Sequence, residues 1–209
     1  MTPAPRSDGQ AARRPSARDD PRERIIATAY RLFCHRGVQA TGVDRIVAEA
    51  GVAKMTLYRH FRSKDELVIA VLERREELWS RDWLEREVER RADTPSERLL
   101  AIFDAFDDWF RQSDYESCLF ISTLLEYHDA TSPVGAASAM HLANVRAFVR
   151  RLADEAGARD PDGFAREWQT LMSGSIVLAT QGDLESARHA RKVAALLLES
   201  ETVPRAKSR

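Results

Sequence analysis

Apolar residues recur along this chain at intervals of three and four, the spacing of one face of an α-helix. In the first run they stand at positions 25, 26, 29, 32 and 33. Asp20, Pro21 and Glu23 offer a cap, a first-turn proline and a capping-box carboxylate, and Gly37 follows the run. The pattern predicts a first helix that ends at this glycine.

Three further helices are predicted close behind the first. Thr41 can cap a short second helix that stops at Gly51, and the stretch 51–64 supplies a short third helix. The sequence Ser-Lys-Asp-Glu at 63–66 is a capping box, and it opens a long helix of about 25 residues.

The second half of the chain repeats these signals. Thr-Pro-Ser-Glu at 94–97 begins another helix, and helices also fit at about 116–129, 134–156, 161–181 and 183–200. No segment has a convincing strand pattern. The predicted fold is therefore all-α, with an N-terminal three-helix helix-turn-helix domain followed by a C-terminal helical bundle, about nine helices in total.

Composition divides the chain into four regions. Residues 1–20 are rich in Pro, Ser, Gly, Ala and Arg, which favours disorder. We assign residues 21–66 to the helix-turn-helix domain, residues 67–200 to the bundle, and residues 201–209 to a polar tail.

Charge is distributed unevenly although the net charge is only −1. Residues 21–72 hold nine Lys and Arg against five Asp and Glu, whereas residues 73–209 carry −6. A basic front and an acidic back indicate that an anionic partner meets the front. The two cysteines are far apart, no apolar run is long enough to span a membrane, and no secretion signal is present, so we expect a cytoplasmic protein without a metal or other cofactor.

The segment "GVAKMTLYRHFRSK" (51–64) carries the most informative chemistry. Leu57 and Phe61 stand four apart and can face a core, and most of the remaining side chains are hydrogen-bond donors or cations. Two short helices joined by a tight glycine turn form a helix-turn-helix. One face of the third helix then serves the protein, and the other suits the phosphates and base edges of DNA.

Residues 22–72 resemble the N-terminal domain of the TetR/AcrR family of transcriptional regulators. The resemblance rests on an ordered set of residues that includes Phe33, Gly37, Thr41, Ile46, Ala50-Gly51-Val52, Lys54, Thr56-Leu57-Tyr58, Phe61, Ser63-Lys64 and Leu67. It implies phosphate contacts by Thr41, Tyr58, His60 and Lys64, and contacts to bases or the groove wall by Lys54, Met55, Thr56 and Arg59. Two positions depart from the family pattern: Ala53 replaces a common capping Ser, and Val47 replaces a common Ala.

The resemblance also implies a small-molecule pocket within the bundle. Such pockets are mostly apolar with a few polar groups. The candidate lining residues are Phe103, Phe106, Phe110, Cys118, Tyr127, His128, Met140, Trp168 and Met172.

In this family the last two helices of each subunit form the homodimer interface. The corresponding helices of this chain carry small and apolar residues that suit close packing. The candidates are Leu171, Gly174, Ser175, Leu178, Ala187, Ala190, Ala194 and Leu197. The alternative is that these residues only close the core of the monomer. A two-fold dimer would bind double-stranded DNA at an inverted-repeat operator.

The implied function is a TetR-like regulator, a repressor released from its operator by an unidentified small molecule. Activation and ligand-independent regulation remain alternatives. An all-α enzyme is less well supported because the sequence has no Gly-x-Ser-x-Gly, phosphate-loop or His-Glu-x-x-His motif. The basic N-terminal domain argues against a helical adaptor that does not bind DNA.

Overall fold

The computed structural model describes residues 20–113 and 115–202, without the side chains of residues 79–82 and 202. Of the predicted disordered extension only Asp20 is described, and of the predicted polar tail only residues 201 and 202. The rest of both predictions lies outside the described residues.

The described residues form helices joined by loops and contain no strand, which confirms the all-α prediction. The helices are α1 (Pro21–Arg36), α2 (Val43–Ala50), α3 (Lys54–His60), α4 (Lys64–Arg75), a π-helical segment (Glu76–Glu85), α5 (Arg86–Arg91), α6 (Pro95–Phe110), α7 (Leu119–Tyr127), α8 (Pro133–Glu155), α9 (Pro161–Thr180) and α10 (Ser186–Thr202). Because α4, the π-helical segment and α5 are continuous, they form the single long helix that the capping box predicts. None of the described helices is both long and apolar enough to cross a bilayer.

Two of the predicted helix starts have the expected capping geometry. The Ser63 hydroxyl accepts a hydrogen bond from the backbone N–H of Glu66 (3.1 Å), and the Glu66 carboxylate accepts from the backbone N–H of Arg62 (2.7 Å). Thr94 and Glu97 form a complete capping box at α6. The bonds are reciprocal at α6, whereas at α4 the Glu66 carboxylate accepts from the residue before the cap. In both helices the cap hydroxyl satisfies a backbone donor that the first turn leaves free, so α4 and α6 begin where the sequence predicts.

The predicted cap of α2 by Thr41 is wrong. The helix is capped by Gly42, and Thr41 lies one residue before it with a wholly buried side chain. The Thr41 hydroxyl donates to the backbone carbonyl of Gly37 at 2.8 Å and so closes the α1–α2 loop on itself. The preference of threonine for the cap position gives way here to this loop contact.

The N-terminal helices form one unit around a shared core. Ile46 of α2 and Leu57 of α3 are fully buried, and Phe61, just after α3, is 3% exposed. The guanidinium of Arg22 on α1 lies 5.4 Å from the centre of the Phe61 ring. Helix α1 therefore fixes the orientation of both short helices.

The bundle core is filled mainly by aromatic rings. Trp168 of α9 is fully buried, stacks on Phe164 at a ring-centre distance of 5.0 Å, and lies 5.4 Å from Phe103 of α6. Phe106 and Phe110 continue this cluster along α6 with ring centres 5.7 Å apart. Since aromatic pairs contribute beyond the area that they bury, this cluster ties α6 to α9.

Candidate nucleic-acid interface

Helix α3 has one buried side and one exposed side within seven residues. Leu57 anchors the buried side. On the other side Met55 is 78% and Tyr58 40% exposed, and Lys54 and Arg59 are exposed as well. The exposed face of α3 therefore combines two cations, a phenol and an apolar side chain.

Ala53 caps α3 without a side-chain hydrogen bond, as expected from the missing Ser. Thr56 is half-buried beside Leu57. The first turn of α3 therefore keeps backbone N–H groups that no side chain of its cap satisfies.

The turn between α2 and α3 is held by a contact that sequence reasoning missed. Gly51 has φ +63°, in the left-handed region that favours glycine. The Arg24 guanidinium of α1 donates to the carbonyls of Ala50 (2.5 Å) and Gly51 (2.8 Å). A cation at this position also complements the C-terminal dipole of α2. Because Arg24 and Ala50 are 26 residues apart, no local pattern signals the contact.

Lys54 is not an isolated cation on the exposed face of α3. Its ammonium lies 2.7 Å from the Asp44 carboxylate of α2, and both side chains are exposed. The hydrogen bond to Asp44 raises the pKa of Lys54 above its ordinary value. An exposed pair of this kind contributes little to stability, so Lys54 can exchange its carboxylate partner for a phosphate at small cost.

The side chains of three residues predicted to contact phosphates are partly or fully buried in the protein. The side chain of Thr41 is fully buried, so in this conformation it offers no exposed atom to a phosphate, and its predicted contact stays a prediction. Lys64 is half-buried and donates to the carbonyl of Val38 at 2.6 Å, and burial lowers its pKa. The His60 ring is half-buried, and its enclosed Nε2 atom has no hydrogen-bond partner among the described residues.

The predicted pocket residues separate into two groups. Phe103, Phe106, Phe110, Cys118, Trp168 and Met172 are buried in the core of the bundle. Met140 is 52% exposed and His128 is exposed, so neither side chain belongs to this core, and their role in a pocket stays a prediction. Tyr127 is half-buried and donates its hydroxyl to Asp65 of α4 at 2.8 Å. A sequence cannot separate residues that line a cavity from residues that fill a core, because both are apolar.

An open groove of about 890 Å³ lies between α7, α8 and α9 and contains none of the predicted pocket residues. Its wall is mainly apolar, with Leu124 from α7, Leu142 from α8, and Val177 from α9. Arg146 of α8 also lines it and donates to the Gln169 amide oxygen at 2.9 Å. An apolar surface with a cation on its wall fits a small organic molecule that carries a polar or anionic group.

A second cleft of about 470 Å³ lies where α1 meets α6 and the π-helical segment. Tyr30, Arg75, Trp83 and Glu116 are among its lining residues. Neighbouring Cys34 has its pKa raised to about 12, mainly by burial, so its thiol stays protonated near neutral pH.

Several predicted dimer residues instead pack inside their own chain. Ser175 is 3% exposed, and Ala187, Ala190 and Ala194 are between 0 and 9% exposed. These four small side chains let α9 and α10 pack closely within the chain, which is the alternative stated for them, and the interface itself stays a prediction. Leu171 and Leu197 are half-buried, and Gly174 and Leu178 are exposed. The exposed large apolar residues of α9 and α10 are Val177, Leu178, Val193 and Leu196.

Comparisons with known proteins identify the N-terminal region. The family model "Bacterial regulatory proteins, tetR family" matches residues 25–71. The chain is 47% identical over 57 residues to the HTH-type transcriptional activator FasR of Mycolicibacterium smegmatis, covering 27% of this chain and 26% of the relative. It is 36% identical over 94 residues to the HTH-type transcriptional repressor KstR2 of the same organism, covering 44% and 43%. The matched segments thus span less than half of these relatives.

Solved structures match nearly the whole fold. A TetR-family transcriptional regulator from Streptomyces coelicolor superposes with a TM-score of 0.77 at 26% identity, covering 88% of this chain and 96% of that one. A TetR-family regulator from Cytophaga hutchinsonii gives 0.76 at 16% identity, covering 92% and 100%, which shows the fold alone. All four of these proteins are described as transcriptional regulators. Residues 25–71 thus match the tetR-family model, and the fold of the whole described chain is similar to that of TetR-family transcriptional regulators.

Proposed function

We propose that the protein is a sequence-specific DNA-binding regulator that recognises an inverted-repeat operator as a homodimer. The exposed face of α3 carries this proposal. Its cations and hydrogen-bond donors project from a helix whose other side is fully buried, and Arg24 fixes its angle to α2. Arg and Lys reach phosphates and guanine edges in the major groove. The cytoplasm, where the chromosome lies, is the expected location.

Arg59→Ala should weaken operator binding by about 5- to 150-fold, the cost of about 1–3 kcal/mol for losing a base-contacting arginine. The measurement is fluorescence anisotropy with a duplex selected by the protein. Arg150→Ala is the matched control, since it removes an exposed arginine of α8 that pairs with Asp162 at 2.8 Å, outside the helix-turn-helix. Equal affinities for the Arg59 variant and the unmodified protein would remove α3 as the reading helix.

Asp44→Asn should have the opposite effect and tighten DNA binding by about two- to tenfold at low salt, because it frees Lys54 and removes a negative charge from the DNA-facing side. The gain should fall as the salt concentration rises. Glu201→Gln, which removes a negative charge at the end of α10, should leave the affinity unchanged. Weaker binding by Asp44→Asn would mean that the Lys54–Asp44 pair itself orients the lysine for DNA.

We propose that residues 21–66 read the DNA and that residues 67–200 bind a small molecule and dimerise. Val193 and Leu196 supply an exposed apolar surface for a second copy, whereas the exposed Val177 and Leu178 line the α7–α9 groove. The α7–α9 groove is the best supported ligand site. A ligand can release the operator only if it binds the DNA-free state of the dimer more tightly than the DNA-bound state.

We propose repression as the direction of regulation. The relatives include an activator and a repressor by name, and the direction depends on where the operator lies relative to the promoter. A reporter gene placed behind the selected operator should be silenced when the protein is expressed. Increased reporter output would establish activation while leaving the DNA-binding proposal intact.

A further inference from the structure

The C-terminal end of α7 is bonded to the helix-turn-helix domain through one carboxylate. The Glu126 oxygens accept hydrogen bonds from two consecutive backbone amides of the α1–α2 loop, those of Val38 (3.2 Å) and Gln39 (2.6 Å). Bonds from N–H groups to a charged acceptor are stronger than those between neutral groups. The bundle thus grips the loop that leads directly into α2.

The absence of a side chain at Gly37 leaves room for the Glu126 carboxylate. A Cβ atom at this position would lie 2.8 Å from Oε1 of Glu126, closer than real Cβ contacts allow. Gly37 also has φ +83°, a conformation that residues with side chains rarely adopt. The backbone conformation at position 37 therefore favours glycine, and a side chain there would also displace the Glu126 carboxylate.

The opposite side of the same loop is held by a cation. Lys64, at the start of α4, donates to the carbonyl of Val38 at 2.6 Å. The negative charge of Glu126 acts on Lys64 and raises its pKa, against the larger lowering caused by burial. The Val38 residue thus donates to an anion from α7 and accepts from a cation on α4.

The next residue of α7 makes a second link to the DNA-binding domain. The Tyr127 hydroxyl donates to the Asp65 carboxylate in the first turn of α4 at 2.8 Å. Two residues before Glu126, Leu124 lines the α7–α9 groove. The short helix α7 therefore connects the groove to both the α1–α2 loop and α4.

We infer that Glu126 is a positioning residue for DNA binding, which sets the position of α2 and α3 by holding the amides of Val38 and Gln39. Since α7 also lines the groove, a molecule bound in the groove can act on α2 and α3 through Glu126 as well as on α4 through Tyr127. Any shift of α7 that stretches the two bonds to Glu126 favours a different placement of α2. The effect on DNA affinity rests on the proposed function, whereas the contact between Glu126 and the loop does not.

The test is Glu126→Gln in the full-length chain. The amide keeps the shape but loses the charge, and it can turn only one acceptor oxygen toward two N–H groups. We expect hydrogen exchange at Val38 and Gln39, measured without DNA, to accelerate by about tenfold or more, the loss of about one charge-assisted bond. Affinity for the selected duplex should fall by about tenfold, the factor that corresponds to about 1.4 kcal/mol.

The sign of the affinity change separates positioning from simple electrostatics. Removing a negative charge strengthens attraction to DNA, so weaker binding cannot come from the change in net charge. Glu199→Gln, an exposed glutamate of α10, is the matched control and should leave both readouts unchanged. Melting temperatures confirm that both variants are folded at the temperature of the assays.

Three results would overturn the inference. Unchanged exchange at Val38 and Gln39 would show that the carboxylate does not hold the loop, whatever the DNA result. Faster exchange with unchanged affinity, while Arg59→Ala weakens binding, would show a loop contact without a positioning role. If the unmodified protein enriches no duplex, the proposed function fails first and the positioning role falls with it, although the exchange result still reports the loop contact.

Discussion

Trp168→Ala should lower the free energy of unfolding by about 3–5 kcal/mol, the usual cost of truncating a buried tryptophan. The side chain is fully buried, stacks on Phe164 and packs against Phe103. Alanine would leave a cavity between α6 and α9 that rigid helices cannot fully close. Urea unfolding followed by circular dichroism measures the change, provided that the slope of the transition is compared as well.

The same experiment decides between two roles for Trp168. A tryptophan that only lines a ligand pocket would lose little stability on truncation and would instead change ligand binding. Met140→Ala is the control, because its side chain is 52% exposed and surface substitutions usually stay within about 0.5 kcal/mol. A loss below about 1 kcal/mol for Trp168→Ala would contradict its placement in a packed core.

Leu196→Asp should convert the dimer to a monomer and weaken operator binding by about 100-fold or more, because two linked half-sites gain about 10²- to 10⁴-fold over one. Leu196 of α10 is 67% exposed in the single chain, and Val193 nearby is 52% exposed. A carboxylate buried against the same apolar surface of a second copy would have no partner for its charge. Sedimentation should then give the mass of one 23.7 kDa chain.

Folding of the monomer should survive this substitution because position 196 already faces solvent. Leu125→Asp, at a residue of α7 that is 62% exposed, is the matched control and should sediment as a dimer. If Leu196→Asp sediments as a dimer too, the interface lies elsewhere. An Ala194→Asp variant could not make this distinction, since Ala194 is fully buried within its own chain.

The helices could be predicted from the sequence because their signals are local. Ser63 and Thr94 cap the helices that their sequences announce, and Leu57 and Phe61 are buried as their spacing predicts. A capping box or an apolar stripe needs only residues within one or two turns. The exposed face of α3 follows from the same spacing.

The residues that position the candidate interface could not be predicted because their partners are distant in sequence. Arg24 meets Ala50 across 26 residues, and Glu126 meets Val38 across 88. Threonine is a common helix-capping residue, yet the Thr41 hydroxyl donates to the Gly37 carbonyl within the α1–α2 loop instead. Which polar side chain reaches a backbone group of another helix is set by tertiary packing.

The sequence was equally unable to distinguish between different uses of apolar residues. Ala187 and Ala194 are small enough for a subunit interface, but they are buried against helices of the same chain. Phe103 and Phe106 are suitable for a pocket wall, but they pack against other aromatic rings. Side-chain chemistry is the same in both settings, and only the neighbours differ.

The π-helical segment Glu76–Glu85 is a further feature without a clear local signal. Such segments are rare and frequently occur at functional sites. Here it lies in the middle of the long helix, between α4 and α5, and borders the cleft at Trp83. The periodic pattern of the sequence predicted one uninterrupted α-helix instead.

Selection of bound duplexes from a random DNA pool is the most direct test of DNA recognition by this protein. The enriched duplex is then titrated with the full-length protein at two salt concentrations. We expect an inverted repeat with half-site centres about 34–36 Å apart, and an affinity that falls steeply with salt because phosphate contacts release counterions. A folded dimer that enriches no sequence, or that binds every duplex equally, would contradict the proposal that α3 reads an operator.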